Sequence, residues 1–407
     1  MDEKPAIGKL ALYGIMLGML VCGTMNTLVM KYQDDTKTTI DGVTNTFTHP
    51  YLQCAFMFLG EFSCFGLLAA KKLYYRSKEA EGLAIPLSPG TKQAEQVKQL
   101  TNINPLWIAI PASCDFCGSS LMFVALTMTP ASVYQMMRGI IVVITALMSI
   151  CFLGRKQYRH HWTAIFLIIF GVFSVGYVSV RAGGDDEDTN GSEILGIFLL
   201  ILSQCFAGTQ FITEEKILGN YYLDPFQIVG TEGMWGLCYY MLLLPVMQLI
   251  HCGGPDAKGL GSLCNFGYLE NSAYAFTQMG ENHWIIWEFV ISICSIAAFN
   301  SFGIATTKYA SAAQRSTIDT SRTMLIWVFS CLLGLETFEP WCIPGFVLLV
   351  FGTLLYNEII VLPILGFDQY TKAAIAAREG AREGKVVDYI ATSPHAAYDA
   401  QRNKRGL

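Results

Sequence analysis

Ten apolar stretches fill this chain, and each is long enough to cross a bilayer, whose hydrocarbon core takes about 20 residues in helical form. They fall at 10–30, 51–70, 105–129, 131–153, 162–180, 194–213, 225–250, 284–306, 312–335 and 341–362. In lipid each such stretch must satisfy its own backbone, so the expected form is a helix. The run 125–154 ends in Phe152-Leu153-Gly154, and the run 305–334 ends in Leu332-Leu333-Gly334, 180 positions later. The next span carries a Phe-Gly pair in each case, Phe170-Gly171 and Phe351-Gly352. Five spans per copy is an odd number, so the second copy inserts upside down relative to the first. The expected fold is all-α integral membrane: ten transmembrane helices as two inverted five-helix repeats, with a substrate site near the midplane between them.

This reading divides the chain into a first repeat at 1–182, an acidic non-cytosolic loop at 183–192, a second repeat at 193–362 and a partly helical cytosolic tail at 363–407. The second repeat contains a long non-cytosolic loop at 251–283. An apolar share of 53% with only 14% charged residues excludes an ordinary soluble domain. The start, Met1-Asp2-Glu3-Lys4, leads into an apolar stretch too long for a cleavable signal. Orientation follows where Lys and Arg lie. With a cytosolic N-terminus, 20 of the 27 basic residues fall on the cytosolic side, four (Lys31, Lys37, Arg181, Lys258) fall opposite, and three lie within spans. Both termini are therefore expected in the cytosol.

The three basic residues within spans are the first functional signal. A charge at mid-bilayer costs roughly 2.5–3.5 kcal/mol on translocon scales, so such residues face a cavity or a partner. In span four, Gln135, Arg138, Thr145 and Ser149 form one polar stripe; in span nine, Arg315, Asp319 and Arg322 share a face. Guanidinium is a planar, bidentate ligand for phosphate or carboxylate, so Arg138 and Arg322 suit an anionic group. The alternative is internal pairing, Asp319 with Arg315 or Arg322, and Arg138 with Asp115. Arg315 stands near a span end, where snorkelling explains it as well. Asn26, Glu61, Asp115, Ser119, Glu232 and Asn300 complete the candidate cavity. Glu61 and Glu232 read either as proton-coupling groups or as neutral packing residues. Glu214 and Glu215, at a helix end, are expected to be solvated.

Most of the 13 cysteines lie in spans, where Cys acts as a small apolar residue. Cys252 and Cys264 share the long loop and are a candidate disulfide. Asn190-Gly191-Ser192 is a glycosylation sequon on the non-cytosolic side. Glycines at packing spacing, among them Gly230, Gly233 and Gly236, mark helix contacts. No hydrolase, metalloprotease or nucleotide-binding signature occurs, and no metal or cofactor is expected.

Several longer segments carry a family resemblance. They include Gly23-Thr-Met-Asn-Thr-Leu, His49-Pro-Tyr-Leu-Gln, Phe58-Leu-Gly-Glu61, Gln135-Met-Met-Arg138-Gly, Phe299-Asn300-Ser-Phe-Gly-Ile and Asp319-Thr-Ser-Arg322-Thr. Together with matches over most of 10–362, they resemble solute carrier family 35, group F, of the member-six type. That resemblance implies the drug/metabolite transporter (EamA-like) fold and a lysosomal or other endomembrane location, with the mitochondrial inner membrane as the alternative. The expected function is secondary transport, by alternating access, of a small organic, anionic metabolite such as a nucleotide or nucleotide sugar. The rival is an accessory subunit of a larger membrane complex with little transport of its own. Expected partners are the lipid bilayer and a small-molecule substrate, with a homodimer or a membrane complex as further assemblies and no nucleic acid.

Overall fold

The computed structural model describes residues 9–40, 42–80, 103–129, 134, 137–154, 156–182, 187–221, 223–252, 266–332, 340–356, 358, 360–363, 366–371, 374–375 and 377–378. Among these the chain is all-helical apart from one hairpin. The helices are α1 (Lys9–Asp35), α2 (Pro50–Ala80), α3 (Pro105–Met128), α4 (Ile141–Leu153), α5 (Arg159–Ala182), α6 (Glu187–Asn220), α7 (Pro225–Leu249), α8 (Ser272–Glu281), α9 (Trp284–Tyr309), α10 (Ala312–Leu332) and α11 (Ile343–Tyr356). Asn104-Pro105 and Asp224-Pro225 show how such helices begin. Each Asn or Asp side chain accepts from the backbone N–H two residues on, and the proline fills the first helical position.

Five of the helices are long and apolar enough to cross a membrane, within α1, α2, α3, α6 and α9. That is the count among the described residues, against ten spans expected from sequence, and several of the other stretches differ from a long apolar helix. In span four a 3-10 turn over Arg138–Ile140 leads straight into the 13 residues of α4. Span ten stops at Tyr356, giving α11 14 residues. α10 carries Arg315, Asp319 and Arg322, and α7 carries Glu232 beside its glycines. The outer faces are apolar stripes, such as Leu10, Tyr13, Leu17 and Val21 on α1, or Phe166, Phe170, Phe173 and Tyr177 on α5, all exposed. An apolar surface of that extent fits lipid and not water.

The strongest helix pairings are α1 with α9, α2 with α7, α3 with α6, and α5 with α11; α4 packs on α6 and α10, α1 on α10, and α9 and α3 on α2 and α7 respectively. Gly233 sets the α2–α7 approach. A Cβ there would collide with the backbone at Glu61 and Phe62, which is how small residues let membrane helices close on each other. Gly233→Val is expected to destabilise the protein by about 1–3 kcal/mol, the usual penalty of overpacking, read as a lower melting temperature in detergent. An unchanged melting temperature would show that α2 and α7 can separate freely.

At the end where α1 finishes lies a small cap, in which α8 falls where a short interfacial helix over 268–279 was expected and a hairpin was not expected. β1 (Lys37–Ile40) and β2 (Val43–Thr46) form an antiparallel hairpin in which Ile40 faces Val43. The intervening Asp41-Gly42 is the usual signal for a two-residue turn, and Gly42 has φ +80°. His49 ties the cap together, with Nδ1 2.6 Å from Glu270 Oε1 and Nε2 2.9 Å from Gln278 Oε1 on α8. Gln278 in turn donates to Thr38 Oγ1 at 2.7 Å. In the same loop Cys252 is disulfide-bonded, while its expected partner Cys264 lies outside the described residues. The sequon residue Asn190 was expected in a loop reaching 192. α6 instead starts at Glu187, so the Asn190 backbone sits in its first turn, where acidic residues suit the positive end of the helix dipole.

Candidate functional site: a polar cavity at the centre of the bundle

α1, α3, α6, α9 and α10 surround a central cavity of about 120 Å³, which Tyr134, Arg138 and Ile141 also line. Seven of the expected site residues line it: Asn26, Asp115, Ser119, Arg138, Asn300, Asp319 and Arg322. Glu61 and Glu232 are buried but are not among the lining residues, and Gln135 lies outside the described residues.

One wall is cationic. Asp319 stands between two guanidiniums, with Arg322 Nε 2.8 Å from its Oδ1 and Arg138 Nη2 3.4 Å from its Oδ2. Each arginine lies against an aromatic ring, Arg322 4.4 Å from the Phe299 centroid and Arg138 5.8 Å from that of Tyr134, which adds cation–π attraction. Two positive charges share one negative, so the wall keeps a net positive charge. Arg138 Nε is buried without a hydrogen-bond partner among the described residues. The pairing of Arg138 with Asp115 does not form; Asp115 Oδ1 accepts from Ser119 Oγ at 2.9 Å. Arg138 lies instead against Asp319 of α10, and Asp115 bonds within its own helix, one turn before Ser119 on α3.

Around Asp115 and Arg315, which also line the cavity, lies a buried group of acids, the acidic wall. Asp115 faces the cavity, and Glu61 lies behind Asn300, whose Nδ2 donates to Glu61 Oε1 at 2.6 Å. Glu214, expected to be solvated, is fully buried and ion-paired with Arg315. Arg315 is buried as well instead of snorkelling, its guanidinium 4.0 Å from the Phe211 centroid. Glu215 is also buried and accepts from the Ala312 N–H at the start of α10, at 3.2 Å. The cause is common to all three: α6 runs on to Asn220 and packs its last turns against α10, so a position near the end of an apolar stretch is still interior.

Asn26 is held from α9, its Oδ1 accepting from Ser292 at 3.2 Å and Ser295 at 3.0 Å. The sequence reading passed over Ser203, Gln204 and Gln210 on α6, which line the cavity too. Their signal was present: neutral polar residues in the middle of an apolar span obey the same rule as charged ones. Away from the cavity, His160 and His161 open α5 and meet Glu358. The His161 ring accepts from the Tyr158 backbone N–H at 3.3 Å, a cap on that helix.

A membrane bundle with a polar, charged centre is the form of a solute transporter, and comparison with known proteins decides the family. Residues 13–221 match the nucleotide-sugar transporter family. Human solute carrier family 35 member F6 is 37% identical over 86% of this chain and 89% of its own length. The chain belongs to solute carrier family 35. An uncharacterized protein of Schizosaccharomyces pombe is 32% identical over 85% of this chain and 97% of its own. UDP-galactose translocator 1 of Caenorhabditis elegans is 25% identical over 62% of this chain and 65% of its own. A solved crystal structure superposes with a TM-score of 0.52 at 12% identity, covering 86% of this chain and 98% of that one, a likeness of fold alone. The protein is thus a multi-pass membrane protein of a transporter family, not of an enzyme family.

Proposed function

We propose that the protein moves a small organic anion, of nucleotide or nucleotide-sugar type, across an intracellular membrane by alternating access. The observation that carries this reading is the cationic wall: Arg138 and Arg322 share Asp319 inside a central cavity, leaving charge and a free N–H for an incoming phosphate or carboxylate. Phe299 and Tyr134 beside the guanidiniums offer flat surfaces to a base. The family match and the UDP-galactose relative support the same class of cargo.

The mechanism needs two halves that rock about the site, and the packing pattern supports inverted five-helix repeats. Exchanging α1 with α6, α2 with α7, α3 with α9, α4 with α10 and α5 with α11 turns the α1–α9 contact into α6–α3, and α1–α10 into α6–α4. It returns α2–α7, α4–α10 and α5–α11 to themselves. The basic-residue partition then supports cytosolic termini, and family membership supports a lysosomal or Golgi-type endomembrane.

Ligand-dependent stabilisation of the purified protein tests the cargo. A ligand at a hundred times its Kd stabilises the folded state by about 2.7 kcal/mol. Nucleotides and nucleotide sugars are expected to raise the melting temperature, and Arg138→Gln or Arg322→Gln to remove that rise while the chain stays folded. A rise given by organic cations or neutral sugars instead, or one that survives both substitutions, rejects the anion reading.

A further inference from the structure

The acidic wall has more negative charge than the described residues around it can neutralise. Glu61 on α2, Asp115 on α3, Glu214 on α6 and Glu232 on α7 are all interior, and each lies within electrostatic reach of others in the set. The contact at Gly233 brings α7 against the Glu61 backbone, and Glu232, one residue away, is within electrostatic reach of Glu61. The charged groups facing Glu232 are Glu214, Asp115, Glu61 and Arg315. α9 presents Asn300, and α6 adds the neutral Gln210. One guanidinium therefore serves four carboxylates, since Arg138 and Arg322 are engaged with Asp319.

Hydrogen bonds do not make up the difference. Glu61 Oε2, Glu214 Oε1 and Glu232 Oε1 are buried with no hydrogen-bond partner among the described residues. An uncompensated carboxylate in such a place is strongly disfavoured, and taking up a proton removes that cost. Asp115 faces the cavity and gives the set contact with whatever aqueous compartment the cavity meets. We propose that Glu61, Asp115, Glu214 and Glu232 form a proton-carrying site, so that movement of the cargo is coupled to movement of protons. This rests on the transport reading of the cavity. A proton from the water of one compartment binds a carboxylate oxygen through Asp115, crosses as a neutral acid, and returns to water when the cavity faces the other side. Arg138, Arg322 and Asp115 line one cavity, with the other three acids behind it, which lets an anion and its charge-balancing protons move through the same site.

Two measurements on the full-length protein test this. Infrared spectra of the purified protein are expected to show the carbonyl band of protonated carboxylic acids, reduced in Glu232→Gln and in Glu61→Gln, substitutions that keep shape and neutrality. Absence of the band means that all four groups are ionised, and overturns the proposal. For coupling, a cysteine is placed at the cavity residue Ala207, the protein is reconstituted in liposomes, and only the internal pH is stepped. Labelling at 207 by an impermeant maleimide, read by peptide mass spectrometry at fixed external pH, is expected to change several-fold on the step and to become indifferent to it in Glu232→Gln. A cysteine that labels at the same rate before and after the step overturns the coupling alone. One that cannot be reached from either side overturns the transport reading, and the coupling with it.

Discussion

Asp319→Ala is expected to be among the most damaging single changes in the cavity, lowering stability by about 3–5 kcal/mol in thermal unfolding of the detergent-solubilised protein. The carboxylate is the counter-charge for both Arg138 and Arg322, and all three side chains are buried. Removing it strands two guanidiniums beside each other without the carboxylate they share. Removing one arginine does not have that result: Arg138→Ala leaves Arg322 and Asp319 as a one-to-one pair, and Arg322→Ala leaves Arg138 with Asp319. The arginine variants are therefore expected to unfold nearer the wild-type temperature while losing the anion response. Equal destabilisation by Arg138→Ala and Asp319→Ala would show that Arg138 holds the fold and not the ligand.

Much of this site could be read from sequence because lipid makes polarity informative. An Arg or Asp inside an apolar run has few explanations, and Arg138, Asp319 and Arg322 were found by that rule alone; the structure supplies their geometry. What stayed hidden depended on where helices stop and turn. Arg138 meets Asp319 and not Asp115, and nothing in the sequence around Arg138-Gly139-Ile140 announces that choice of partner or the 3-10 turn there. Hydropathy ended span six at 213, where Glu214-Glu215-Lys216 begins, yet the helix continues to Asn220 and buries both glutamates. A run of charges is a good marker of a membrane boundary only when no other helix covers it, and α10 covers this one. The hairpin at 37–46 has its sequence signal in Asp41-Gly42 and in the β-branched residues of its two short strands. Gly233 shows the reverse case. Its spacing with Gly230 and Gly236 marked a packing face, and the structure adds the consequence that α7 brings a glutamate against another on α2.

The ion pair between Glu214 and Arg315 gives the second large effect, and its two halves are not equivalent. Both side chains are essentially fully buried, 0% and 2% exposed. Arg315→Met removes the positive charge that faces Glu214, Asp115, Glu61 and Glu232 together, so four carboxylates lose attraction at once. Glu214→Leu leaves Arg315 over the Phe211 ring with Asp115 still in reach, which offsets part of the loss. Arg315→Met is therefore expected to cost about 3–5 kcal/mol and Glu214→Leu distinctly less. The double change fills the same volume with apolar atoms and strands no charge from the pair. Because a buried ion pair can be replaced by packed apolar side chains at little or no net cost, the double variant is expected to recover most of the loss caused by Arg315→Met. Unfolding of the four proteins in a double-mutant cycle reads this directly. Additive losses, with the double variant worse than either single one, would mean that the two residues stabilise the α6–α10 contact independently, and that the acidic wall does not depend on Arg315 for its compensation.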